Sequence, residues 1–156
     1  LFGWDSDYKV NPPLRTRADV EALIEGIKDG TIDCLATDHA PHTPADKANG
    51  MAGISNIEYA FQIYLKVFQE NSIPLTRLSE MLSLAPAKRL GIKAGLFLPG
   101  YAANVTALSV EEESEIDSLR MISRSHNTPF DGRKVMGRVL RTVIDGETRY
   151  EYNTAI

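Results

Sequence analysis

The chain has a single cysteine, Cys34, among its 156 residues, so an internal disulfide is excluded. Cys34 sits in the apolar run "IDCLAT", where a buried, inert thiol in a reducing cytoplasm is expected. No apolar stretch approaches the roughly 20 residues of a membrane-spanning helix. The opening "LFGWDSDYK" lacks the charged-then-apolar order of a signal peptide. Basic residues are also short: 17 Lys and Arg against 21 Asp and Glu leave a net charge of -4, which argues against a polyanionic partner. The expectation is a cytoplasmic chain without nucleic-acid or membrane partners. Histidine is scarce as well, with three in all, yet two of them, His39 and His42, follow one aspartate in "TDHAPHT".

What is present is ordinary globular material. At 43% hydrophobic and 24% charged residues, a packed core is expected rather than disorder. In "KVNPPL", Pro12 and Pro13 remove two amide donors and Pro12 holds Asn11 out of the helical region. Thr16, with Asp19 three residues on, reads as a capping box for a helix over 17–28. Its apolar face is Val20, Leu23, Ile24 and Ile27, and Gly30 ends it. "TIDCLAT" reads as a short parallel strand buried on both faces, ending at Thr37-Asp38. In parallel α/β folds side chains converge on ligands at the carboxyl ends of strands.

After Asp38, Pro41, Pro44, Asn49, Gly50 and Gly53 mark a loop of about 15 residues, long enough to expect a binding loop or lid. Ser55 reads as the cap of a helix running to about Glu70, a second helix follows Pro74, and "APAKRLGI" forms a turn of helix ending at Gly91. From about residue 96 the pattern becomes β: a strand at 104–110, a solvated charge run "EEESEID", and two strands joined at Asp145-Gly146. His126 is assigned to this β module.

Carboxylate oxygen and imidazole nitrogen are the usual ligands of catalytic zinc, so Asp38, His39 and His42 form a candidate metal site. The alternative is a capping aspartate with two surface imidazoles. The blocks "KVNPPLR", "DGTIDCLATDHAPHT", "APAKRLGI", "NTPFDGRKVMGRV" and "VIDGE" bear further on this choice. In this order they resemble the C-terminal portion of a bacterial-type dihydroorotase, in the cyclic amidohydrolase group of the amidohydrolase superfamily. The likeness spans roughly Lys9 to Glu147.

That resemblance implies an α/β fold: the C-terminal part of a TIM barrel, with its last strand and surrounding helices, in residues 1–95, and part of a small β-sandwich in 96–156. It implies a zinc-dependent hydrolase acting on cyclic amide C–N bonds, interconverting N-carbamoyl-L-aspartate and L-dihydroorotate in pyrimidine biosynthesis. Asp38 matches the family's aspartate that binds zinc and moves the catalytic proton. Asn11 and His42 match substrate contacts, as do the backbone groups of Ala52 and Gly53, where the family commonly has phenylalanine-glycine. His39 has no counterpart role and is expected to support its neighbours.

The family's H-x-H pair, bridging lysine or aspartate, two further histidines and substrate-binding arginine are absent from these 156 residues. A barrel also needs about 250 residues. The expectation is therefore an inactive portion of a binuclear zinc enzyme, with homo-oligomerisation favoured and aspartate transcarbamoylase a candidate partner. Allantoinase or hydantoinase activity, or a non-catalytic dihydroorotase-like subunit, are the alternatives.

Overall fold

The computed structural model describes residues 6–152, so residues 1–5 of the opening stretch lie outside it. Helix α1 spans Arg17–Asp29. Its capping box is formed: the Thr16 amide donates to Asp19 Oδ2 at 2.9 Å, the Thr16 side chain accepts from the Asp19 amide, and Gly30 ends the helix in the left-handed region. Of the expected apolar face only Ile27 is buried and Ile24 partly so; Val20 and Leu23 are 52% and 56% exposed.

The predicted strand over 31–37 is corrected. The segment forms no strand, and no strand pairs with it among the described residues. A ladder needs a neighbour to take its N–H and C=O groups. Here Ile32 N–H instead donates to Gly26 O (2.8 Å) and Leu35 N–H to Met81 O (3.2 Å). Cys34 is half-buried, and partial burial together with the nearby Asp33 carboxylate pushes its thiol up, which agrees with an unreactive side chain.

The loop after Asp38 contains a short helix, α2 (Pro44–Ala48), built from local signals that the loop expectation passed over. Pro44 occupies its first turn, and Thr43 and Asp46 form a second capping box. Helix α3 spans Ala60–Glu70 and starts after Tyr59, not at Ser55. Ser55 is fully buried and its hydroxyl is used elsewhere, so the cap assignment is corrected. Helix α4 (Leu75–Ser79) continues through a π turn (Glu80–Leu84) into α5 (Ala85–Leu90), with Gly91 left-handed at its end as expected.

A three-stranded antiparallel sheet completes the chain, in the order β1 (Val105–Glu115), β2 (Lys134–Ile144), β3 (Glu147–Glu151). The hairpin at Asp145-Gly146 has positive φ at both residues (52° and 82°), the primed turn its sequence calls for. The expected charge-run loop is corrected: most of "EEESEID" belongs to β1, where Glu113 and Glu112 pair with Lys134 (3.0 Å) and Arg138 (2.5 Å) on β2. Cross-strand ion pairs accommodate the charge that suggested a loop.

Two apolar clusters hold these layers together. The larger joins Ile27, Leu65, Phe68, Ile73, Leu78 and Met81, with Val110 of β1 packed against it. The smaller joins Tyr59, Ile116 and Val135. Helix α3 crosses β2 where Gly137 leaves room: a Cβ there would lie 2.6 Å from Leu65 Cδ2 and 3.0 Å from Phe61 Cε1. The chain is thus a mixed α/β unit with one three-stranded sheet.

Candidate functional site

Asp38, directly after the 31–37 segment, has φ 45°, a left-handed conformation that a residue with a Cβ rarely adopts. Such strain persists when the surroundings over-determine it, and the residues on either side are clamped. Thr37 O accepts from Asn56 Nδ2 at 2.6 Å. His39 Nδ1 accepts from the amides of Asn56 (3.0 Å) and Ile57 (3.3 Å), and His39 pairs with Ile54 in an isolated parallel bridge. The Asp38 side chain is exposed and makes no hydrogen bond or ion pair among the described residues.

Because backbone amides only donate, His39 Nδ1 must accept, and in the neutral ring the proton sits on Nε2, which faces Ser123 Oγ at 3.3 Å. Both ring nitrogens are thereby committed, which gives His39 the supporting role expected of it and removes it as a ligand in this arrangement. A self-contained three-ligand centre is also absent: no group of three or more His, Cys, Asp or Glu side chains able to hold a metal ion is assembled among the described residues.

His42, Ala52 and Gly53 are brought together. His42 Nε2 lies 3.0 Å from Ala52 O, an acceptor only, so the ring donates there and leaves Nδ1 as its acceptor when neutral. Gly53 has φ 147°, and a Cβ on it would sit 2.6 Å from Ala40 Cβ and 2.9 Å from His42 Nε2. Glycine is required here by both backbone and space. Its N–H donates to Lys9 O (2.9 Å), and its carbonyl accepts from Lys47 Nζ (2.9 Å) and Asn127 Nδ2 (3.0 Å). Gly53 therefore shapes the loop with both of its backbone groups.

Asn11 is exposed, two residues beyond Lys9, and the Asn11-Pro12 bond is cis. The carbonyl of Lys9 ties this stretch to the loop, since it accepts from both Gly53 N and Lys47 Nζ (3.3 Å).

Two residues central to this arrangement were missed in the sequence. Lys47, 4% exposed, turns inward from α2 and donates to the carbonyls of Lys9, Met51 (3.1 Å) and Gly53. An ammonium tolerates burial when its donors are satisfied in this way. Asn127, 7% exposed, accepts from His42 N (2.9 Å) and Ser55 Oγ (2.7 Å) and donates to Ala40 O (3.2 Å) and Gly53 O. Position 47 sits in a polar helical turn that reads as surface, and Asn127 is 85 residues from His42; the only trace was the "NTPFDG" block. Beneath them Tyr59 hydrogen-bonds Ser55 O and Thr128 Oγ1, and burial pushes its phenol up to about 12. His126 Nδ1 bonds Ser118 O, away from the loop that follows Asp38.

Known proteins resemble the chain in sequence and shape. The dihydroorotase of Clostridium botulinum (strain Eklund 17B / Type B) is 40% identical over 147 residues, covering 94% of this chain and 37% of that protein. The dihydroorotase of Bacillus cereus (strain AH820) is 41% identical over 157 residues, covering 97% and 37%. Among solved structures, the L-hydantoinase (dihydropyrimidinase) of Arthrobacter aurescens superposes with a TM-score of 0.87 at 27% identity, covering 97% of this chain and 37% of that one. A D-hydantoinase from Thermus sp. superposes with a TM-score of 0.85 at 22% identity, covering 94% and 34%, a likeness of fold. The chain thus spans little more than a third of the length of these relatives. No helix among the described residues is long and apolar enough to cross a membrane. The resemblance to dihydroorotases read from "TDHAPH" and "NPPLR" is upheld, and the amidohydrolase family model matches residues 10–149, so the chain belongs to the amidohydrolase family.

Proposed function

We propose that the chain is the part of a dihydroorotase that supplies the last metal ligand and one wall of the substrate pocket. In this reading residues 1–95 belong to a TIM barrel and 96–156 to a β-sandwich flank, and the remaining ligands come from a segment outside these 156 residues. One observation carries the reading: the Asp38 carboxylate is exposed and has no partner among the described residues, while Thr37 and His39 on either side of it are tied down.

A carboxylate with free lone pairs fits a divalent cation, and zinc is the ion we assign. When bound, such an ion would polarise the amide carbonyl and lower the pKa of water. Asp38 would take the proton released as water adds to the ring carbonyl and pass it to the leaving nitrogen as the C–N bond breaks; cyclisation is the reverse. His42, whose Nδ1 remains an acceptor, and the Asn11 side-chain amide suit the ureido and carboxylate groups of carbamoyl aspartate. Ala52 and Gly53 would place backbone groups along the same wall. Because Gly53 is internally bonded, the Ala52 amide is the group left for substrate.

The hydantoinase reading draws support from the solved structures, but the 40–41% identity to dihydroorotases outweighs 27% to a hydantoinase. Homo-oligomerisation and association with aspartate transcarbamoylase belong to this proposal as partners of the full-length protein. The test is to assay that protein on dihydroorotate, hydantoin and allantoin. Dihydroorotate should be the preferred substrate by kcat/KM; preference for hydantoin or allantoin would overturn the assignment, and inactivity on all three would favour a non-catalytic subunit.

A further inference from the structure

Ser123, Ser125 and Asn127 alternate along the chain and all turn their side chains toward the loop that follows Asp38. Ser123 Oγ meets His39 Nε2, Ser125 Oγ donates to His42 O, and Asn127 meets Ala40, His42, Gly53 and Ser55. The intervening Arg124 and His126 are exposed. Asn127 uses its full capacity, two bonds accepted and two donated. The His42 amide can only donate, which settles which end of the side chain is oxygen.

We infer that Asn127 is a positioning residue for the substrate wall: one side-chain amide sets the separation between Ala40, two residues past Asp38, and the His42 and Gly53 backbones. The inference rests on the dihydroorotase reading for its kinetic consequence, but not for its geometry. No apolar residue of that size could take its place, because Ala40 O and Gly53 O would lose a donor and His42 N an acceptor. Asn127→Asp separates the two halves. It keeps the acceptor for His42 and Ser55 but turns a carboxylate toward two carbonyls.

The test uses the full-length protein. Asn127→Asp should raise KM for dihydroorotate about tenfold while kcat stays within about threefold and bound metal is unchanged, because the displaced groups contact substrate rather than metal. An unmoved KM, or loss of kcat together with metal, would overturn the inference. With isotopically labelled histidine, the His42 amide should exchange slowly in the wild type and in Asn127→Asp, and rapidly in Asn127→Ala. A His42 amide that already exchanges at an unprotected rate in the wild type would contradict the geometry, even if Asn127→Ala fails to fold. If the protein does not act on dihydroorotate, the exchange result still decides the positioning role, and the functional reading fails alone.

Discussion

The loop over 39–55 and helix α1 treat solvent in opposite ways. The loop is polar in sequence, yet it buries Lys47, Gly53 and Ser55 and spends their donors and acceptors on one another and on Asn127. Helix α1 is amphipathic in sequence, yet Val20 and Leu23 of its apolar face lie exposed. Burial in this chain follows specific polar partners at the site and the presence of packing neighbours elsewhere.

That contrast can be broken most sharply at Lys47. Lys47→Met keeps the stem but leaves the Met51 carbonyl without its donor and removes one of two donors from each of the Lys9 and Gly53 carbonyls, so a loss of about 3 kcal/mol is expected in urea denaturation. A change below about 1 kcal/mol would mean that the loop is not held from α2. Gly53→Ala comes next, at about 2 kcal/mol, because the added methyl meets Ala40 and His42 in a disfavoured conformation. The same denaturation series should show it, with the His42 ring resonances displaced.

Thr43→Ala should cost about 1 kcal/mol through the lost α2 cap. The Thr43 hydrogen bonds hold the Asp46 carboxyl below its ordinary 3.8, and those of Thr16 do the same for Asp19. A depressed carboxyl stabilises the fold above its unfolded value and loses that contribution as pH falls through the lower folded value. The Thr43→Ala cost should therefore be full at neutral pH and shrink below pH 3.8, as melts across pH would show. The smallest effect is expected on α1: Leu23→Ser in this chain should change stability by less than about 0.5 kcal/mol. A larger loss would show that Leu23 packs against something.

Local signals were legible and long-range polar ones were not. The Thr16-Asp19 box, the Gly30 and Gly91 ends and the Asp145-Gly146 hairpin all act within a few residues, and each formed where its spacing placed it. The strand over 31–37 failed because an apolar run specifies a strand only when a neighbour accepts its hydrogen bonds. Ser55 failed because a buried partner 72 residues away outcompetes a helix end for its hydroxyl. The site divided in the same way. The TDHAPH stretch drew attention to Asp38, His39 and His42, but nothing near Lys47 or Asn127 in sequence discloses that each faces inward toward carbonyls brought there by folding.

Asp38 is proposed to bind metal and to move the catalytic proton. The most direct measurement is metal content and dihydroorotate turnover of the full-length protein with Asp38→Ala, compared with wild type. Turnover should be lost and bound metal should fall; unchanged turnover in the variant would rule out this role for Asp38.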